Sequence, residues 1–317
     1  MKKLIYYLLF SQIAGIMLLF YSCNEETDRP VFPLSAEIFH SVKDKQVAFT
    51  ALTHSAVAWS WDFGDGQTST EQNPVHIYNE GGYYVATLTA TDTEGNSVTN
   101  EVNLAIALTP YALLTGDHTQ PDYDGKTWKL TADHSSGGDY FANSDASFSV
   151  VDGTPSPLPT GIFDLEFGMG DIYKDEFTFY NDGSYTHDVK NDGAAFGGIV
   201  YQFVLNGGAD IINANGQDYG LCIARYTPET GATFTYTEEE DFTVASVYGG
   251  DGTVTYQNVS TLDFSGTEFI GFRDFQQKVI LKEITDERMQ LVMFMAAAPD
   301  YLPMNTHALV LSFEVVK

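Results

Sequence analysis

The sequence predicts an all-β protein, with a small antiparallel sandwich over residues 31–108 and a larger β-sandwich, most simply a jelly roll, over residues 109–317. Three observations predict it. Short runs that alternate apolar and polar residues recur throughout, among them QVAFTAL, YYVATLTATD, DEFTFY and QKVILKEITD. Clusters of Gly, Asn and Asp divide these runs at close intervals, as turns do. No stretch of the two regions carries the three-to-four-residue apolar repeat of a long amphipathic helix. With 317 residues, 44% of them hydrophobic and 14% aromatic, the chain has enough apolar surface to fill two cores.

Residues 1–22 come first and read differently. MKKLIYYLLFSQIAGIMLLFYS runs from two lysines through an apolar stretch to a small residue just before Cys23, the layout of a secretory signal. A membrane-spanning helix is the competing reading, and the apolar run is slightly short for one. The segment resembles a bacterial lipoprotein signal peptide, departing from it at Phe20, where Leu or Val is usual. That resemblance implies cleavage after Ser22, a lipid on Cys23 and attachment to the outer membrane. Residues 23–30 form an acidic linker. Within it NEETD, with Glu25 and Glu26, resembles the export signal that sends lipoproteins of Bacteroidetes-type bacteria to the outer face of that membrane, and reads equally well as a solvated linker.

In residues 31–108 the stretch WDFGDG sets two aspartates and two glycines between apolar runs. Short acids around glycine can wrap a hard cation, so Asp62 and Asp65 are candidate calcium ligands. They suit a turn equally, because Asp accepts from nearby backbone N–H groups and Gly64 and Gly66 supply positive φ. Trp61 is expected in the core, and His76 and Tyr78 at the start of the next strand. WDFGDG followed by NPVHIYNEGGYYVATLTATDTEGN resembles a PKD repeat, an immunoglobulin-like module of secreted bacterial proteins. The resemblance implies a spacer that does no chemistry of its own, in some members with calcium near the acidic loops.

About a dozen further β-runs are read in residues 109–317, including KTWKLTA, GIFDLEF, GIVYQFVL, DYGLCIARY and RMQLVMFMAA. DEFTFYNDGSYTHDV is the clearest hairpin, turning at Asn181, Asp182 and Gly183. GGADIINANG reads as a loop. Cys222, apolar on both sides in GLCIARY, is expected as a buried thiol rather than a nucleophile. LTGDHTQPDYDGKTWKLTADH, DEFTFYNDGSY and FIGFRDFQQKVILKEITDERMQLVM resemble the domain that follows a PKD repeat in lipoproteins of Bacteroidetes polysaccharide-utilisation systems. Where relatives carry a Trp-rich segment after the KTW motif, this chain has SSGGDYFANSDAS, so a sugar platform there would fall to Tyr140 or Phe141.

The function classes narrow by chemistry. A net charge of −28, from 15 basic and 43 acidic residues, repels polyanions and excludes nucleic acid as a partner. Scattered histidines give no zinc spacing, and neither a Gly-x-Ser-x-Gly elbow nor a phosphate loop occurs. No cofactor is expected beyond the structural calcium above. Glycoside hydrolysis needs two placed carboxylates. Asp164 and Glu166, two apart on an expected strand, share a face and with Asp171 form the fallback catalytic set; a calcium site or a solvated face fits them as well.

Sugars have apolar faces and polar edges, so a site for them pairs an aromatic platform with carboxylates and amides. Most aromatics of a sandwich are core. Those in expected loops are the candidates: Tyr140, Phe141, Tyr248 beside Gly249 and Gly250, Tyr301 next to Asp300, and Trp128 at a strand start, where packing in the core competes. Together these features point to a cell-surface glycan-binding lipoprotein, its partners a polysaccharide or oligosaccharide, the outer membrane and a transport complex in it. The alternatives are a glycoside hydrolase or lyase with an unrecognised acid pair, and a structural or adhesion subunit.

Overall fold

The computed structural model describes residues 32–190 and 192–317, so the leader and Cys23 lie outside the described residues. Contacts divide the chain into two units: residues up to Ile77 with Val85–Val102, and Tyr78–Tyr84 with Asn103–Lys317.

Alternation builds the first sandwich. Strands β1 (Ser35–Lys43) and β2 (Gln46–His54) pair from end to end, Ser35 opposite His54 and Lys43 opposite Gln46. Val47, Phe49 and Ala51 point inward at every second position, which fixes that register. Strands β3 (Ala58–Asp62), β4 (Thr68–Ser69), β5 (Val75–Ile77), β6 (Gly82–Thr91) and β7 (Ser97–Ile106) complete it, as sheets ordered β1-β2-β5 and β4-β3-β6-β7. Trp61 is fully buried, 5.1 Å from the Phe49 ring, and its indole N–H donates to the Glu71 carbonyl at 3.0 Å.

The WDFGDG stretch is a turn. The Asp62 carboxylate accepts from the Gly64 N–H at 2.9 Å, and that of Asp65 from the Gln67 N–H at 3.0 Å, while its other oxygen meets His76 Nε2 at 2.7 Å. Gly64 is required there, since it has φ +80° and a Cβ on it would come 2.5 Å from the Val85 carbonyl oxygen.

The second unit is a larger β-sandwich. Its strands are β8 (Lys126–Leu130), β9 (Tyr140–Asn143), β10 (Glu176–Phe179), β11 (Tyr185–Asp188), β12 (Ala194–Gly198), β13 (Ile211–Asn213), β14 (Leu221–Arg225), β15 (Phe234–Ala245), β16 (Thr253–Phe264), β17 (Val279–Ile284), β18 (Arg288–Met295) and β19 (His307–Val315). The main sheet runs β11-β10-β8-β19-β18-β17-β16-β15, with β9 on the far end of β19, and a small sheet runs β12-β14-β13. In the main sheet, strands that follow one another in the chain are mostly neighbours, so its path is a meander. The sheet curls until its two ends approach: the Tyr185 N–H donates to Ala232 at 2.9 Å and that of Phe234 to Gly183 at 3.0 Å. The expected hairpin at Asn181–Gly183 is present, with Gly183 at φ +87°.

Burial explains why the middle strands carry so few polar residues. From Met289 to Met295 every residue of β18 is buried, because one face joins the main core with Leu291 and Met293 and the other joins a second cluster with Val292 and Phe294. Cys222 on β14 is fully buried, and its thiol donates to the Gly197 carbonyl at 3.4 Å.

Two expected strands are short helices. GIFDLEF forms Ile162–Phe167 and GIVYQFVL forms Ile199–Asn206. Left-handed glycines decide the first, Gly161 at φ +68° before it and Gly168 at φ +62° after it, with Ile162, Phe163 and Phe167 buried. Gly207, at φ +70°, ends the second.

Candidate functional site: a cleft around Tyr219

Polar contacts in the second unit first fix a floor. Asp139 is fully buried and accepts from His134 Nδ1 at 2.7 Å, from the Ser312 hydroxyl at 2.6 Å and from the Ser312 N–H at 3.0 Å. His134 Nε2 in turn lies 2.8 Å from the Tyr173 hydroxyl. This chain of partners satisfies groups that would otherwise be costly to bury. It also sets the ring of Phe163 edge-on to His134 at 5.1 Å, and Phe141 packs on Phe163 at 6.1 Å.

On that floor stands Tyr219. It ends a one-turn 3₁₀ segment, Gln217–Tyr219, that the preceding asparagines tie to the Ile162–Phe167 helix. The side-chain amides of Asn213 and Asn215 both donate to the Phe167 carbonyl at 3.1 Å. Gly220, at φ +79°, lets the turn press on the sheet, where a Cβ would meet Ala297 at 3.0 Å and Met295 at 3.1 Å. The Tyr219 ring is propped from behind by Phe167 at 5.4 Å and Phe141 at 6.3 Å, yet stays 49% exposed.

Two hollows meet at Tyr219 and Phe141. One, of about 410 Å³, is lined by polar groups that include Asp152, Thr154, Gln217, Asp218 and His307. The other, of about 340 Å³, is lined by Pro155, Pro159, Ile162, Leu165 and Phe167 with one acid, Glu166. Both have the size of small-ligand pockets. Asp152, Asp218 and Glu166 are exposed. Asp171 and Asp145 line neither hollow and are engaged elsewhere, Asp171 with Lys174 at 2.6 Å and Asp145 with Ser147 at 2.9 Å. Burial lowers the pKa of His307, which favours its uncharged imidazole.

The residues expected from sequence fall in several places. Phe141 is in the cleft, as part of its floor. Tyr140, beside it on strand β9 rather than in a loop, faces the opposite side with Lys282 Nζ 5.6 Å from its ring, so the two cannot form one platform. Trp128 is fully buried, its N–H given to the Leu114 carbonyl at 2.9 Å, which takes it off any surface. Tyr248 and Tyr301 are half exposed and line neither hollow; the Tyr248 hydroxyl donates to Asn143 at 2.6 Å.

Asp164 and Glu166 do not share a face. They sit on a helix, where residues two apart diverge by about 200°. Asp171 pairs with Lys174 and lines a separate hollow. Among the described residues no three His, Cys, Asp or Glu side chains gather as a metal site, and both Asp62 and Asp65 are engaged by their turn. Tyr219 was missed because DYGLCIARY reads as one strand; the signal was GQDYG, an aromatic among polar residues with glycine on each side.

The first unit is thus an immunoglobulin-like module by its two sheets and its turn. The PKD domain family profile matches residues 37–106, and the chain carries a PKD domain. Pre-pro-metalloprotease PrtV of Vibrio cholerae is 47% identical over 57 residues, 18% of this chain. Collagenase ColA of Bacillus cereus is 39% identical over 54 residues, 17% of this chain. The chain spans only 6% of the length of each. Among solved structures, the PKD1 domain of the Vibrio cholerae metalloprotease PrtV is 32% identical, with 24% of this chain and 100% of that one covered and a TM-score of 0.24. A structure described under the promiscuous specificity of carbohydrate-binding modules of the β-sandwich superfamily aligns over 90% of this chain and 93% of its own, at 13% identity and a TM-score of 0.26, too slight a likeness to carry an argument.

Proposed function

We propose that this protein binds glycans in the Tyr219 cleft and holds them without cleaving them. The PKD domain then serves as a spacer, a lipid on Cys23 as the anchor at the outer membrane, and a transport complex in that membrane as the recipient of captured oligosaccharide for a polysaccharide-utilisation system. One observation carries the reading: a half-exposed Tyr219, braced by Phe141 and Phe167, stands beside exposed carboxylates and the amide of Gln217. A ring held rigid can stack on the C–H face of a sugar at little entropic cost, while Asp152, Asp218 and Gln217 meet its hydroxyls.

Calorimetric titration with a panel of plant and host polysaccharides, read beside thermal melting, tests it. Tyr219→Ala is expected to weaken binding by about 1–3 kcal/mol. The melt should hardly move, since the ring adds little to the core. Unchanged binding in Tyr219→Ala would overturn the assignment of the cleft, and release of reducing ends from any member would overturn capture without cleavage.

A further inference from the structure

Resting on that reading, we infer that the ligand is an uncharged oligosaccharide long enough to lie across Tyr219 into both hollows. Charge gives the first half of the inference. Neither hollow is lined by a lysine or arginine, while three exposed carboxylates, Asp152, Asp218 and Glu166, face the space a ligand would fill. A uronate or sulfate brought there meets like charge without a cation to offset it, and the chain as a whole carries −28. Hydroxyl groups meet these carboxylates well, because an ionised carboxylate only accepts and a sugar edge offers several donors.

A cationic sugar would gain from the carboxylates too, yet the rest of the lining does not favour one. The second hollow is walled by Pro155, Pro159, Ile162, Leu165 and Phe167, which match C–H surface and do not solvate an ammonium group. Shape gives the second half. The polar hollow and the apolar one share Tyr219 and Phe141 in their linings, so a single sugar ring that fills one leaves the other empty, whereas a chain running over that shared wall fills both.

The full-length protein is titrated with three oligosaccharide series of equal lengths, neutral hexose or pentose oligomers, uronate oligomers and glucosamine oligomers, each at low and high salt. The expected result is binding of neutral oligomers that is independent of salt and strengthens from one sugar to several. Uronate oligomers are expected to bind about ten-fold more weakly or worse, with the deficit shrinking as salt screens it. The double variant Asp152→Lys with Asp218→Lys should narrow or reverse that ratio, while the circular-dichroism melt shows the variant folded. Tighter binding of uronate or glucosamine oligomers, in a form that Tyr219→Ala abolishes, would overturn the inference and leave the glycan-binding reading standing. Binding of a single sugar as tight as that of a chain would overturn the length requirement. No binding to any series would overturn the reading itself.

Discussion

The PKD domain and the second unit are both antiparallel, but they bury their strands differently. In the PKD domain β2 keeps a strict in-and-out alternation, with Phe49 inside and Leu52 outside. In the second unit β18 is buried on both faces, so neighbours such as Leu291 and Val292 are equally inside. A sheet with one wet face presents its surface as strand side chains, as at Leu52, Val75 and Ile77. A sheet covered on both sides presents much of its surface through loops, and the Tyr219 cleft sets loops and short helices against the strand residues Phe141, Met295 and His307.

That contrast can be broken first at the two buried tryptophans. Trp61→Ala and Trp128→Ala are each expected to cost the unit that holds them about 3–5 kcal/mol. Calorimetric unfolding with ligand titration tells them apart: only Trp128→Ala should also remove binding at the cleft. Loss of binding in Trp61→Ala would mean the units do not behave separately.

Next in size is Leu291→Ala, for which a loss of about 2–5 kcal/mol is expected in a denaturant melt. A pH-dependent effect comes from buried acids of the second unit. Burial pushes Asp274 up to about 7, and burial with the charge of Asp192 pushes Asp175 up to about 8, against 3.8 for a free Asp. The folded chain then keeps protons that the unfolded chain has lost, so stability should fall as pH rises from near 3.8 to about 8 and level off above. Asp274→Asn should flatten part of that fall in melts recorded across the range, and an unaltered slope would clear Asp274 of any role. Smallest is Leu52→Ala on the outer PKD face, where a change within about 0.5 kcal/mol is expected, against the large loss at Leu291.

The same contrast accounts for what the sequence could tell. The PKD domain was legible because its decisive chemistry is local: Asp62, Gly64, Asp65 and Gly66 specify a turn within six residues of Trp61. The all-β class of the second unit was legible from its runs, and so was its Asn181–Gly183 hairpin. The order of its strands was not, since β8 and β19 are neighbours although nearly the whole unit separates them. Nor were the helices, because a six-residue apolar segment such as IFDLEF has too few positions to separate a period of 2 from one of 3.6. The cleft was least legible, being assembled from residues near 141, 152, 166, 219, 297 and 307 that only the finished fold brings together.

One buried side chain of the second unit has a bearing on oxidation. A lone thiol on an accessible strand is a point at which an oxidising medium can join two copies covalently or carry sulfur up through its acid states. Cys222 is shut inside β14, its proton donated to Gly197 and its pKa raised to about 12 by burial. The reactive thiolate is therefore scarce for as long as the small sheet stays closed. Burial thus shields the Cys222 thiol in the folded chain, and opening of that sheet is what would expose it to oxidation.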